Sequence, residues 1–253
     1  MSVVVLLHGV PTSGALWSAV RSALGAGRRC LAPDLPGYGG SPALPVPTLD
    51  AHLDWLGAQL AQAGLNDTPL DLVGHDYGGL LAAAWAARRG ARSLALTSTA
   101  LGWGWIPAKL TALPPLNRYF YRRYAGRRWL AMGVAPGHRE ALFRTFLPGM
   151  EANGNLPRQM EALARAMHLR TQASLAPRCP TLCLWGGADR SVPSVFGRRL
   201  AASLPDARFV ALPGLHHYAM WEEPVTYAAA LEAFWHATSA ACASRSPATS
   251  TST

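Results

Sequence analysis

The chain has 253 residues, half of them hydrophobic and only 15% charged, which excludes a disordered polymer and suits a single α/β domain with a full core. The formal charge of +9 comes from 23 basic residues against 14 acidic ones, and scarce acids contribute as much as abundant bases, so a nucleic-acid partner is not implied. No apolar run reaches the roughly 18 residues that a membrane helix needs, and the longest, Leu80 to Ala87, reads as an Ala-rich core helix.

Val3 to Leu7 is a continuous apolar, β-branched run that stops at His8-Gly9. Such a run suits a strand buried on both faces of a parallel sheet. Arg29 to Pro33 reads as a second strand, ending in the turn-rich Asp34-Leu35-Pro36-Gly37-Tyr38-Gly39-Gly40-Ser41. Leu49, Leu53, Leu56, Leu60 and Ala63 have helical spacing. Leu70 to Val73 is a third strand, running into Gly74-His75-Asp76-Tyr77-Gly78-Gly79 and a helix to about Arg89. Strands are expected at Ser93 to Ser98, Thr181 to Trp185 and Ala207 to Leu212, with helices at Ser194 to Ser203 and Pro224 to Thr238. Strands alternating with helices give a mostly parallel, doubly wound sheet of about six strands.

The alternation breaks over 101–178, where helical patterning, Trp103, Trp105, Trp129 and several prolines replace strands. The expected organisation is therefore a core at 1–100 and 179–238, a helical cap inserted at 101–178, and a disordered Ser/Thr/Ala-rich tail at 239–253. Within the insertion, Arg122, Arg123, Arg127 and Arg128 are interleaved with Tyr121, Tyr124 and Trp129 and read as a solvated helix face. Cys30, Cys179, Cys183 and Cys242 show neither a disulfide framework nor zinc-ligand spacing. With no basic leader ahead of the first strand, the expectation is a cytoplasmic protein with reduced thiols.

The chemistry gathers at strand ends. A sharp strand-to-helix turn needs small residues on both sides of its apex, here Gly74 and Gly78 around Asp76. The apex side chain projects from the sheet edge, and the helix N-terminus behind it favours negative charge. Asp76 is therefore expected to be ionised and nucleophilic at neutral pH. Gly9 lets the Val10 N–H turn inward, and with the Tyr77 N–H it would form an oxyanion hole. Asp189 follows the fifth strand in a Gly-rich loop, and His216-His217 follow the sixth. Open parallel sheets bind ligands at such carboxyl ends, and the chain order nucleophile, acid, base is the one used by strand–turn–helix nucleophiles.

These segments, with His8-Gly9-Val10-Pro11-Thr12-Ser13 and Trp17, resemble the α/β-hydrolase family, specifically its epoxide hydrolase and haloalkane dehalogenase branch with an aspartate nucleophile. In that family the catalytic histidine stands five residues before a glutamate. Counting back from Glu222 selects His217 over His216. The resemblance implies that Asp76 forms an alkyl ester with a small apolar organic substrate, and that His217, oriented by Asp189, activates the water that cleaves it. No cofactor or metal enters that chemistry. It also implies cap tyrosines that donate to an epoxide oxygen, with Tyr121 the first candidate and Tyr119 and Tyr124 its rivals; Ala125 to Leu184 holds no tyrosine for a second donor, where His168 is a speculative substitute.

The chain departs from the dehalogenase pattern. That branch carries a halide-binding Trp after the nucleophile and often an Asn after His-Gly, where this chain has Tyr77 and Val10. The expected activity is accordingly epoxide opening, with dehalogenation, lactone hydrolysis or non-catalytic binding as alternatives. The family's usual N-terminal strand pair does not precede the His-Gly strand, so the expectation is either a sheet trimmed to about six strands or an abbreviated form of the chain.

Overall fold

A computed structural model of the chain describes residues 3–99, 127–152 and 176–245. Strand β1 (Val3–Leu7) is buried along its whole length, and its alternate residues divide between two faces. Val3, Val5 and Leu7 enter one apolar cluster, while Val4 and Leu6 enter the other. The continuous apolar run is thus two alternating sets superimposed, because successive side chains of a strand point to opposite faces. β3 (Leu70–His75), β4 (Ser93–Thr97) and β5 (Thr181–Gly186) are buried throughout in the same way. β2 (Arg29–Leu31) and β6 (Ala207–Leu212), more exposed, form the two edges.

The strand order is β2-β1-β3-β4-β5-β6, and every pair is parallel. Helices α2 (Leu49–Gln62), α3 (Tyr77–Arg89) and α6 (Ser194–Ser203) cover one face. Helices α1 (Ser18–Leu24) and α8 (Pro224–Arg245) cover the other. From β1 the chain first steps outward to β2 and then returns past β1 to β3, so the winding reverses between β1 and β3. The carboxyl ends of those two strands therefore border a crevice.

Local chemistry sets the helix ends. Thr48 caps α2 by accepting the Ala51 N–H on its hydroxyl (3.1 Å), and α3 stops at Gly90, whose φ of 80° suits glycine. Between β4 and β5 the described residues form α4 (Arg127–Met132) and α5 (Arg139–Ala152) with no strand. Leu130, Val134, Leu142 and Phe146 of this segment are buried in the cluster that holds Tyr218 and α8.

Three sequence expectations change. α1 and the 3₁₀ turn before it (Gly14–Trp17) were not expected; only Val20 and Leu24 of α1 are buried, too few to show a period. β2 ends at Leu31 rather than Pro33. α8 runs to Arg245, so 239–245, expected as a disordered tail, are helical, in keeping with the helix propensity of their alanines. Tyr121, its rivals Tyr119 and Tyr124, and His168 lie outside the described residues. Of the arginine cluster, Arg128 is described and exposed.

Candidate active site

Asp76 is the single residue between β3 and α3. Its backbone lies at φ 49°, ψ −112°, a region that L-residues rarely occupy. The neighbours hold it there. Its N–H donates to the Thr97 carbonyl (3.0 Å), and its carbonyl accepts from Gly79 N–H (3.1 Å) and from Thr99 Oγ1 (2.7 Å). A Cβ on Gly74 would fall on the Gly78 carbonyl, and one on Gly78 on the Leu7 carbonyl. The glycines around Asp76 are therefore required by close backbone approach of β3, α3 and β1.

The Val10 N–H donates to Asp76 Oδ2 (3.1 Å), and the Tyr77 N–H also donates to that carboxyl group. Gly9 makes room for this, since a Cβ there would lie 2.5 Å from Asp76 Cβ and 2.9 Å from Oδ2. The Tyr77 side chain itself is buried in the core with α2 and α3. Burial pushes the Asp76 carboxyl up to about 6, against the lowering effect of His217 and the two N–H donors. Burial thus outweighs the groups that favour the charged form. Asp76 is still ionised at neutral pH, with a smaller margin than an exposed carboxylate.

Asp189 and His217 come to the same edge from the loops after β5 and β6. Asp189, buried, accepts on Oδ1 from the N–H groups of Ser191 and Val192 (both 2.8 Å), and its Oδ2 lies 3.0 Å from His217 Nδ1. The His217 ring is also buried. Burial works against its charge, but Asp189 and then Asp76 overcome that and raise its pKa above the ordinary value. The neighbouring His216 turns to Glu222 instead, with Nδ1 3.0 Å from Oε1. The structure thus brings Asp76, Asp189 and His217 together, with the Val10 and Tyr77 amides on Asp76, and leaves His216 aside.

Two further histidines serve the frame. His8 Nε2 accepts the Leu35 N–H (2.8 Å), so its proton sits on Nδ1 and is donated to the Gly9 carbonyl (2.8 Å). Burial drives His8 down to about 4 and keeps it neutral. His75 Nε2 donates to the His217 carbonyl (3.1 Å), and burial holds this ring well below the usual histidine range. Asp34 ties two loops by accepting from Gly14 N–H and Gly40 N–H (both 2.7 Å). Sequence reasoning assigned no role to His8, Asp34 or Glu222, although each lies within or beside a quoted motif. A groove of about 690 Å³ lined by Leu60, Trp85 and Arg89 lies at the amino ends of the strands, away from Asp76. Among the described residues no cluster of three or more His, Cys, Asp or Glu side chains could hold a metal, and no helix is long and apolar enough to cross a membrane.

Known proteins match this arrangement across nearly the whole chain. A pimeloyl-[acyl-carrier protein] methyl ester esterase of Chromobacterium violaceum is 34% identical over 85% of this chain and 86% of the relative. Haloalkane dehalogenase 2 of Mycobacterium bovis is 30% identical over 90% and 86%. A cis-3-alkyl-4-alkyloxetan-2-one decarboxylase of Xanthomonas campestris is 27% identical over 92% and 87%. The model of the alpha/beta hydrolase family matches residues 4–230. With its parallel six-stranded sheet and the Asp76 bend at the winding reversal, the chain belongs to the alpha/beta hydrolase family.

Proposed function

We propose that this hydrolase opens an epoxide, or a similarly strained C–O electrophile, through a covalent ester on Asp76. The observation that supports this reading is the Asp76 carboxylate itself, seated with Oδ2 on the Val10 N–H. Oδ1 attacks the saturated carbon, the ring C–O bond breaks, and the departing oxygen takes a proton. Tyr121 is the proposed donor to that oxygen. His217 Nε2 then removes a proton from water, and the resulting hydroxide adds to the Asp76 carbonyl carbon. Negative charge develops on Oδ2, where the Val10 and Tyr77 amides already point. Collapse releases the alcohol, and Asp76 keeps one oxygen from water.

A carboxylate suits displacement at saturated carbon. Attack on an ordinary ester would instead give a high-energy anhydride, so the activity named for the C. violaceum relative is not transferred here. The name of the X. campestris relative contains an oxetan-2-one, a strained cyclic C–O electrophile of the proposed type. A second reading, dehalogenation by the same two steps, is favoured by the M. bovis relative. Against it stand Tyr77 and Val10, where the dehalogenase pattern has halide-binding groups.

Single turnover in H₂¹⁸O tests the proposal. The expected result is one ¹⁸O in the Asp76 peptide and unlabelled oxygen in the first product. Label in the product alone would rule out the covalent step. A terminal epoxide compared with a bromoalkane of the same chain length distinguishes the two leaving groups.

A further inference from the structure

The loop that carries His217 is fastened to the segment between β4 and β5 by contacts that the reaction above does not use. Glu222, in the short helix α7 (Ala219–Glu222), is buried. Its Oε2 accepts the His216 N–H (2.8 Å) and its Oε1 accepts the Ala135 N–H (2.5 Å). The Tyr218 N–H donates to the Gly133 carbonyl (3.0 Å). At Gly133 the two segments come closest, since a Cβ there would lie 2.7 Å from Tyr218 Cε2 and 3.2 Å from His217 Cβ. From the core side, His75 holds the His217 carbonyl. Asp76 takes part in none of these bonds; Thr97, Thr99 and α3 hold it independently.

We infer that Glu222 is a positioning residue: one buried carboxylate holds both the His216 backbone and the turn at Ala135, so the seating of the inserted segment sets where His217 stands. This role rests on the proposed two-step reaction. It touches the second step only, because attack uses Asp76 and the proposed Tyr121 donor, whereas ester cleavage needs His217 in line with water. A carboxylate is suited to the task, since it offers acceptors to both N–H groups and charge-assisted bonds are the stronger ones. In Glu222→Gln one of the two oxygens becomes an NH₂ facing an N–H, so one tether is lost.

The test compares Glu222→Gln and Gly133→Ala with wild type, using rapid quench and intact-protein mass on a terminal epoxide and on a bromoalkane. Ester formation is expected to stay within about twofold, while ester cleavage slows roughly tenfold to a hundredfold, the scale of a small misplacement of a reacting group. Ester then accumulates on Asp76, and kcat and KM fall together with kcat/KM nearly unchanged. A general loss of folding would instead lower the active fraction, leaving KM unmoved and no ester. If Glu222→Gln does not fold, Gly133→Ala disturbs the same junction from the other side. His217→Gln supplies the reference. If His217→Gln traps the ester while both junction variants show wild-type cleavage, the positioning role is wrong. If His217→Gln forms no ester at all, the covalent reaction itself fails, and this role with it.

Discussion

His217 Nδ1 and Asp189 Oδ2 meet at 3.0 Å, while Asp189 Oδ1 is committed to the Ser191 and Val192 amides. An ionised carboxylate can only accept, so the Nδ1 proton is fixed and Nε2 is left with its lone pair. Asp189→Asn keeps the shape but presents an amide that donates equally well and so no longer selects the tautomer. Turnover is expected to fall roughly 10³- to 10⁴-fold, with thermal stability changed little. A loss below tenfold would exclude Asp189 as the group that orients His217.

Burial of Asp76 links stability to pH. Its pKa of about 6 in the fold lies above an unfolded value of about 4, so the folded chain binds more protons between them. The stability from this group is fully present at low pH and is lost as pH rises through about 6. Asp76→Asn is therefore expected to be inactive yet more stable than wild type at pH 8, by about 1–3 kcal/mol after discounting for partial exposure. The gain shrinks towards zero near pH 4. Urea midpoints at the two pH values check this, and a gain that grew on acidification would contradict it.

The same carboxylate raises His217. When Asp76 is esterified its charge disappears, so His217 becomes easier to deprotonate as its turn to act as base arrives. His217 is expected to titrate at lower pH in Asp76→Asn than in wild type, read from its imidazole proton resonances. Ester formation needs ionised Asp76, so kcat/KM should rise with pH with a midpoint near 6.

The paired histidines should separate cleanly. His216→Ala preserves its backbone N–H to Glu222, and activity is expected to stay within about tenfold of wild type. His217→Ala is expected to lose roughly 10³-fold or more in kcat, the scale for removing a member of such a triad. Steady-state kinetics on one substrate suffice, and a reversed order would move the base to His216.

Away from the site, fully buried Asp71 pairs in bidentate fashion with Arg92 and accepts from Ser93 Oγ (2.6 Å). Arg28 lies 3.8 Å from it and bridges to Glu232. Removing one partner of a buried pair strands the other. Asp71→Ala is expected to cost about 3 kcal/mol in chemical denaturation, the low end for a broken buried pair because Arg92 still reaches water. The rate per folded molecule should not change, since Asp71 lies at the opposite end of β3 from Asp76.

Much of the frame was legible because it is set by short-range rules. Val3 to Leu7 and Ala207 to Leu212 read directly as strands, and Gly74 and Gly78 around Asp76 mark the bend from the sequence alone. α1 was not legible, because its stability comes from packing against α8 and α7 rather than from its own pattern. The end of α8 is not legible either: small and hydroxyl residues look like a tail, while helix propensity carries them to Arg245.

The sequence by itself determined which chemical groups stand at the strand ends and in what order, because strand period, turn chemistry and parallel winding are local or topological. Only the tertiary structure decided their state and their support. Asp76 is shifted upward by the burial around it, His217 is raised by two carboxylates distant in the chain, and Glu222 joins segments 87 residues apart. Desolvation and charge coupling depend on what surrounds a group in space, and no spacing along the chain encodes that sum.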